Sequence, residues 1–415
     1  MPSGAVADHF PSKFMSHEPP PTHADMRASL RTELAELTAQ GRLRVRPVID
    51  SPDGRVIHLR MEGGRRKLVN WASNDYLGCA NLRAVKNAAS RELRRFGAGA
   101  GAARLLSGGL AVHRRFEQRL AQWLGAADAL LTTSGFQANL AAMVTLAGDP
   151  EDVIILDRAC HASTYDGARL SAGTLLRFRH NDVDDLARQF ERTTGARRRI
   201  VCVESVYSMD GDEAPLAGIF ALCREHGALL VVDEAHAIGV CGPGGRGLCA
   251  EVGIVPDVLV GTCSKSLGAQ GGFLVGDSEI IELAVNRGRS FIYSTAPVPA
   301  AVGGALGGLE QLQANPQWPA ELCATAVALR ASLRAVGWQV APGRSPIIPV
   351  IVGHETAALA LAASLRDLGH HAPAIRPPTV PEGGCRLRLT LTRAHTEADC
   401  RRLVAAMKSL AVAAS

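Results

Sequence analysis

Two stretches of this chain place reactive side chains directly after short apolar runs. In ALLVVDEAHAIG the run ends at Asp233, with His236 close behind; in VLVGTCSKSLG it ends at Thr262, and Lys265 follows. In an open α/β sheet, functional groups gather beyond the carboxyl ends of the strands, so Asp233 and Lys265 can face one crevice. An amine and a carboxylate in that arrangement are what pyridoxal phosphate requires. The lysine can hold the aldehyde as a Schiff base, and the acid can keep the pyridine nitrogen protonated so that the ring withdraws electrons. His236 could hydrogen-bond the cofactor's phenolic oxygen. Taken singly, an Asp at a strand end is more often a cap and a Lys after a strand is more often on the surface, so the reading rests on the pair.

Three further segments bear on that chemistry. In TTSGFQANLAAM a strand-like run turns into a helix, and the backbone N–H groups of Gly135 and Phe136 can bind a phosphate there; an ordinary helix start reads equally well without the other elements. His161 in DRACHAS and Ser208 in ESVYSMDGD follow apolar runs and should open onto the same crevice. The imidazole can stack on a cofactor ring and the hydroxyl can bind its oxygen, although each alone fits a structural hydrogen bond as well. In FGAGAGAARLLSGG, Gly97, Gly99 and Ala102 satisfy the dinucleotide pattern. The preceding RELRRF looks helical, and no acid at a following strand end stands about twenty residues on, so the segment reads as a glycine loop near the active site.

These residues need a scaffold. The runs ALLTT, VIILD, IVCVES, ALLVVDE, VLVGT and GGFLVG alternate with helical stretches such as PLAGIFALCREHG, which predicts crossovers and a mostly parallel sheet. The expected organisation is a disordered extension over 1–25, an N-terminal helix and small strands over 26–70, a large domain over 71–300, and a smaller C-terminal α/β domain over 301–415. The extension lacks periodicity, and the helix is expected from Met26, with Leu30, Leu34 and Leu37 on one face, to Gly41. With 47% hydrophobic residues among 415, the chain can bury a large core. The net charge of +5 comes from dispersed Arg without interleaved aromatics, which argues against nucleic acid. Ten Cys without ligand spacing argue against a metal site or a disulfide framework and fit a cytoplasmic protein. No apolar run reaches the roughly 18 residues of a membrane span.

SNDYLG, SGFQAN, HNDV, SVYSMDGD, VVDEAH, the SK of TCSKSLG, and IYST, in this order over about Asn70 to Leu410, resemble the α-oxoamine synthase family of fold-type I pyridoxal-phosphate enzymes. The resemblance implies an acyltransferase in which an amino acid and an acyl thioester condense with loss of carbon dioxide. By motif position it implies Lys265 as the Schiff-base lysine, Asp233 as the pyridinium partner, His161 as the stacking residue, and Ser208 and His236 at the phenolic oxygen. Gly135, Phe136 and Thr262 would serve the phosphate, with Ser294 and Thr295 reaching it from the neighbouring subunit of a homodimer. Asn74 and Arg388 would hold the amino acid's carboxylate, Thr379 would lie near the acyl substrate, and Arg44, with Arg42 as competitor, matches a family arginine that contacts substrate. The tail AIRPPTVPEGGCRLRLTLTRAHT is similar to the branch that uses L-alanine and a pimeloyl thioester in biotin synthesis. Two departures stand out: GAGAAR replaces the common GSGGSR, and TCSKSLGAQGG is closer to serine palmitoyltransferases, the alternative branch.

Overall fold

A computed structural model of the protein describes residues 21–44 and 46–414; most of the extension expected over 1–25 lies outside the described residues. The chain forms two compact units, one up to Val48 and one from Ile49 to Ser415. In the first, helix α1 (His23–Ala39) starts three residues ahead of Met26. Its cap is the reason: Thr22 Oγ1 accepts from the Asp25 N–H, and Asp25 Oδ2 accepts from the Thr22 N–H, which satisfies two end donors reciprocally.

The second unit opens with a hairpin of β1 (Val56–Met61) and β2 (Gly64–Asn70). Helices α2 (Arg83–Phe96) and α3 (Ala111–Leu124) follow, and RELRRF lies within α2. The glycine segment therefore follows a helix and not a strand. A seven-stranded sheet then forms from β3 (Asp128–Thr132), β4 (Asp152–Asp157), β5 (Thr174–Phe178), β6 (Arg198–Glu204), β7 (Leu229–Asp233), β8 (Val258–Thr262) and β9 (Gly272–Gly276). Its order is β3-β9-β8-β7-β6-β4-β5.

From β8 through β5 every neighbour is parallel. Strand β9 is antiparallel to both of its neighbours, because the nine residues between Thr262 and Gly272 are too few for a crossover. Alternate residues of the inner strands enter opposite apolar layers. Val201, Val203, Leu230 and Val232 join one, and Ile200, Cys202 and Val231 join the other. A sheet buried on both faces has no polar side to mark it, which explains the near-continuous apolar runs in the sequence. The runs do not include β5 (TLLRF): as an edge strand it carries exposed Thr174 and Arg177.

A third sheet is antiparallel, in the order β10 (Ile347–Gly353), β13 (Cys385–Thr390), β12 (Ala374–Ile375). The short β11 (His370–His371) instead pairs in parallel with β2, tying the C-terminal part of the chain to the hairpin near its start. All ten cysteines are free thiols, eight of them buried. Among the described residues no helix is long and apolar enough to cross a membrane, and no cluster of His, Cys, Asp or Glu is placed to hold a metal.

Candidate active site

The carboxyl ends of the strands assemble the reactive groups. Asp233 closes β7, Glu204 closes β6 directly opposite it in register, and Thr262 closes β8, three residues before Lys265. Helix α4 (Gly135–Leu146) leaves the end of β3, and α5 (Ala162–Leu170) starts beside His161 after β4. These ends surround one cavity of about 210 Å³, lined by Gly135, Phe136, His161, Asp233, His236, Thr262 and Lys265 among others.

Lys265 is enclosed, and burial drives its amine down to about 8, against the opposing pull of Asp233 and Glu204. About a tenth of it is therefore an uncharged nucleophile at pH 7, a few hundred times the share of an ordinary lysine. Asp233 is aimed by two donors: Asn139 Nδ2 to Oδ2 at 2.8 Å and the Ala235 N–H to Oδ1 at 2.8 Å. Asn139 reaches on to Ser163 Oγ at 3.0 Å, and Ser163 Oγ lies 2.7 Å from His161 Nδ1. The Ser163 N–H also points at that nitrogen, so Nδ1 is the acceptor and the ring proton sits on Nε2. Burial lowers the His161 imidazole and keeps it neutral.

Burial, followed by the charges of Lys265 and Arg388, also holds His236 well below the ordinary histidine range. Tyr76 Oη lies 2.6 Å from His236 Nδ1. Burial pushes Tyr76 up to about 12, so its hydroxyl keeps its proton. The tautomer that accepts it leaves an N–H on Nε2, a donor suited to a phenolic oxygen.

At the other end of the cavity, Ser134 caps α4 by accepting from the Gln137 N–H, while the N–H groups of the first helical turn have no intrahelical acceptor. Thr262 Oγ1 donates to the Gly271 carbonyl at 2.8 Å and lies 2.7 Å from Ser264 Oγ. A Cβ on Gly135 would meet Thr262 Cβ at 3.3 Å, so the helix start and the strand end are in close contact. Anion donors at one end, an oriented carboxylate at the other and a buried amine on the wall are a donor set that fits pyridoxal phosphate.

The remaining expected site residues are divided. Arg388 on β13 donates through Nε to the Ser208 carbonyl at 2.6 Å, and through Nη1 to Asn74 Oδ1 at 3.1 Å and Thr390 Oγ1 at 2.9 Å. Asn74, Ser208 and Arg388 thus come together from three distant parts of the chain, although none of the three lines the Lys265 cavity, and Asn74 lines another pocket that shares Ser264 with it. Ser294 and Thr295 line a separate narrow cleft, where Gln137 Nε2 donates to Ser294 Oγ at 3.1 Å. Thr379 is exposed between β12 and β13. Arg44 and its competitor Arg42 belong to the N-terminal unit, shortly after α1.

Among the cavity residues that the sequence reading does not single out, two are polar groups close to Asp233. Asn139 is the last residue of SGFQAN, one helical turn from Gly135, and that spacing was its signal. Glu204, next to last in the IVCVES run and last in β6, is 3% exposed; its Oε1 has no hydrogen-bond partner among the described residues. Burial, then the charge of Asp233, pushes Glu204 up to about 8, so it carries a proton at neutral pH.

Fold and site together define a fold-type I pyridoxal-phosphate transferase. Residues 66–407 match the family described as aminotransferase class I and II, and the chain belongs to that family. It is 45% identical over 380 residues to 8-amino-7-oxononanoate synthase of Anaeromyxobacter sp. (strain K), covering 91% of this chain and 94% of that protein. Among solved structures it is similar to a serine palmitoyltransferase variant from S. paucimobilis with a bound PLP–myriocin aldimine, at TM-score 0.87 and 30% identity over 95% of this chain and 99% of that one. It is also similar to 8-amino-7-oxononanoate synthase from Francisella tularensis, at TM-score 0.71 and 25% identity over 83% of this chain and 98% of that one.

Proposed function

We propose that this protein is a pyridoxal-phosphate-dependent acyltransferase of the cytoplasm that condenses L-alanine with a pimeloyl thioester, carried on coenzyme A or a carrier protein. Carbon dioxide and the thiol leave, and 8-amino-7-oxononanoate is formed for biotin synthesis. One observation carries the reading: a buried amine, Lys265, and an oriented carboxylate, Asp233, line one cavity. The 45% identity over nearly the whole chain supports the choice of acyl substrate.

When bound, pyridoxal phosphate supplies an aldehyde for the amino group and a protonated ring that takes up charge from Cα. Lys265 would hold the cofactor through Nζ and, as a neutral amine, would accept the Cα proton. Asp233, fixed by Asn139 and the Ala235 N–H, would keep the ring nitrogen protonated. His161 would meet the ring, His236, with Ser208 as the resemblance implies, would serve its oxygen, and Gly135, Phe136 and Thr262 would hold the phosphate. Arg388 and Asn74 would receive the alanine carboxylate and so orient the Cα–H bond, and Thr379 would serve the acyl substrate. In a homodimer, Ser294 and Thr295 reach the phosphate of the neighbouring site.

A second reading, serine with a palmitoyl thioester, draws on the TM-score of 0.87 to serine palmitoyltransferase. Mass spectrometry separates the two. Alanine plus pimeloyl-coenzyme A should give 8-amino-7-oxononanoate; a product from serine and palmitoyl-coenzyme A alone would overturn the acyl assignment, and no product from either pair would remove the condensation itself.

A further inference from the structure

The HNDV segment has no part in the cavity, yet it contains an unusual clamp. His180, just past β5, places Nδ1 at 2.9 Å from Asp157 Oδ1 and Nε2 at 2.8 Å from Asp212 Oδ2. An ionised carboxylate only accepts, so both ring nitrogens donate and the ring is an imidazolium. Burial opposes that charge, but the hydrogen bonds to Asp157 and Asp212 prevail and raise His180 to about 10. Asn181 adopts φ +55°, a conformation open to few residues other than glycine. That turn sends its own N–H to Asp157 Oδ2 at 2.8 Å and its Nδ2 to Asp212 Oδ2 at 2.8 Å. The Tyr207 ring meets His180 edge-on at 4.4 Å.

Asp157 is the fully buried end of β4, four residues before His161. Asp212 belongs to the 205–213 loop, which folds back on itself through Tyr207 N–H to the Asp212 carbonyl at 3.0 Å and Gly211 N–H to the Tyr207 carbonyl at 2.9 Å. On its far side the loop is bound by Arg388 Nε at the Ser208 carbonyl and by Ser345 Oγ at the Gly211 carbonyl, 2.8 Å. The loop is thus held between His180 and Arg388.

We propose that the doubly hydrogen-bonded imidazolium of His180 is a positioning residue that fixes the 205–213 loop and, through the Ser208 carbonyl, the direction in which Arg388 presents its guanidinium to the amino acid's carboxylate. This rests on the reading that Arg388 receives that carboxylate. Without the imidazolium, Asp157 and Asp212 lose the cation between them, and on the Asp157 side the loop keeps only the Asn181 amide, which donates to Asp212 and the Glu213 carbonyl.

His180→Gln supplies donors to one side only. Its KM for L-alanine should rise about tenfold, the scale of a lost charge-assisted bond. Its kcat, its KM for the thioester and the visible absorbance of the loaded protein should stay near those of the parent. Adding Asp212→Asn removes the like-charge pair and should restore most of the alanine KM. Should His180→Gln fail to fold, Asp212→Asn alone still tests the link, with a smaller rise in the alanine KM. In cofactor-free protein, ¹⁵N spectra at about pH 8 should show both His180 ring nitrogens protonated, well above the ordinary histidine range.

An alanine KM unchanged by either variant, or a neutral ring in the spectrum, overturns the proposal. A lower melting temperature with an unchanged KM assigns His180 to stability alone. The underlying reading fails separately: Arg388→Lys with an unchanged alanine KM would remove the carboxylate role itself.

Discussion

Asn139→Ala tests the link between the helix that begins the phosphate end of the cavity and the carboxylate at the other end. Asn139 is 2% exposed, and its Nδ2 donates to Asp233 Oδ2 at 2.8 Å and to Ser163 Oγ at 3.0 Å. Truncation removes one hydrogen bond to a charged acceptor, of about 1.5–3 kcal/mol, and 1.36 kcal/mol per decade converts that to roughly 10- to 150-fold. The loss should fall on kcat more than on KM for alanine, because the Asp233 charge matters most when the ring takes up charge from Cα. Asn139→Asp should weaken cofactor binding further by setting a second carboxylate against Asp233. The assay is coenzyme A release under saturating cofactor, with cofactor affinity from an absorbance titration and melting temperature as a check on folding. A kcat within about twofold of the parent, at full cofactor occupancy, would show that the aim of Asp233 does not limit the reaction.

Covalent loading of cofactor-free protein needs the neutral amine, so with Lys265 at about 8 the loading rate should climb through a midpoint near pH 8 and level off above about pH 9; stopped-flow absorbance that still rises near pH 10 would return Lys265 to an ordinary value. His395, stacked on Trp71 at 4.2 Å, accepts from the Thr392 N–H and is pushed by burial from 6.5 down to about 4. As pH falls through that window the unfolded chain takes up the proton first, so stability should drop by up to about 3 kcal/mol towards its lower end. Denaturant melts of His395→Gln should lose this slope, and an unchanged slope would assign the loss to other groups. Gly272→Ala would drive a Cβ to 2.2 Å from the Ser134 carbonyl and 2.4 Å from Gly135 N, displacing the start of α4. It should destabilise by about 1–3 kcal/mol and weaken cofactor affinity, measured by equilibrium dialysis; unaltered affinity would detach that helix start from the phosphate.

What could be read along the chain is what local chemistry encodes. The buried strands announce themselves as apolar runs, and a polar residue straight after a run marks a strand end, so Asp233, Lys265 and His161 are legible as neighbours of one crevice, while Thr262 follows only from the family resemblance. The start of α1 was displaced because a capping box, not leucine spacing, sets a helix end, and β5 was missed because an edge strand with one exposed face lacks a continuous run. The partners of the functional side chains were hidden for a different reason. Asn139 and Asp233 lie 94 positions apart, and Asn74 and Arg388 lie 314 apart. Likewise His180 finds one carboxylate 23 residues before it and another 32 after. Those meetings depend on strand order and register, which arise when the whole core packs at once; residue type limits what a side chain can do, and the packed sheet sets which partner it meets.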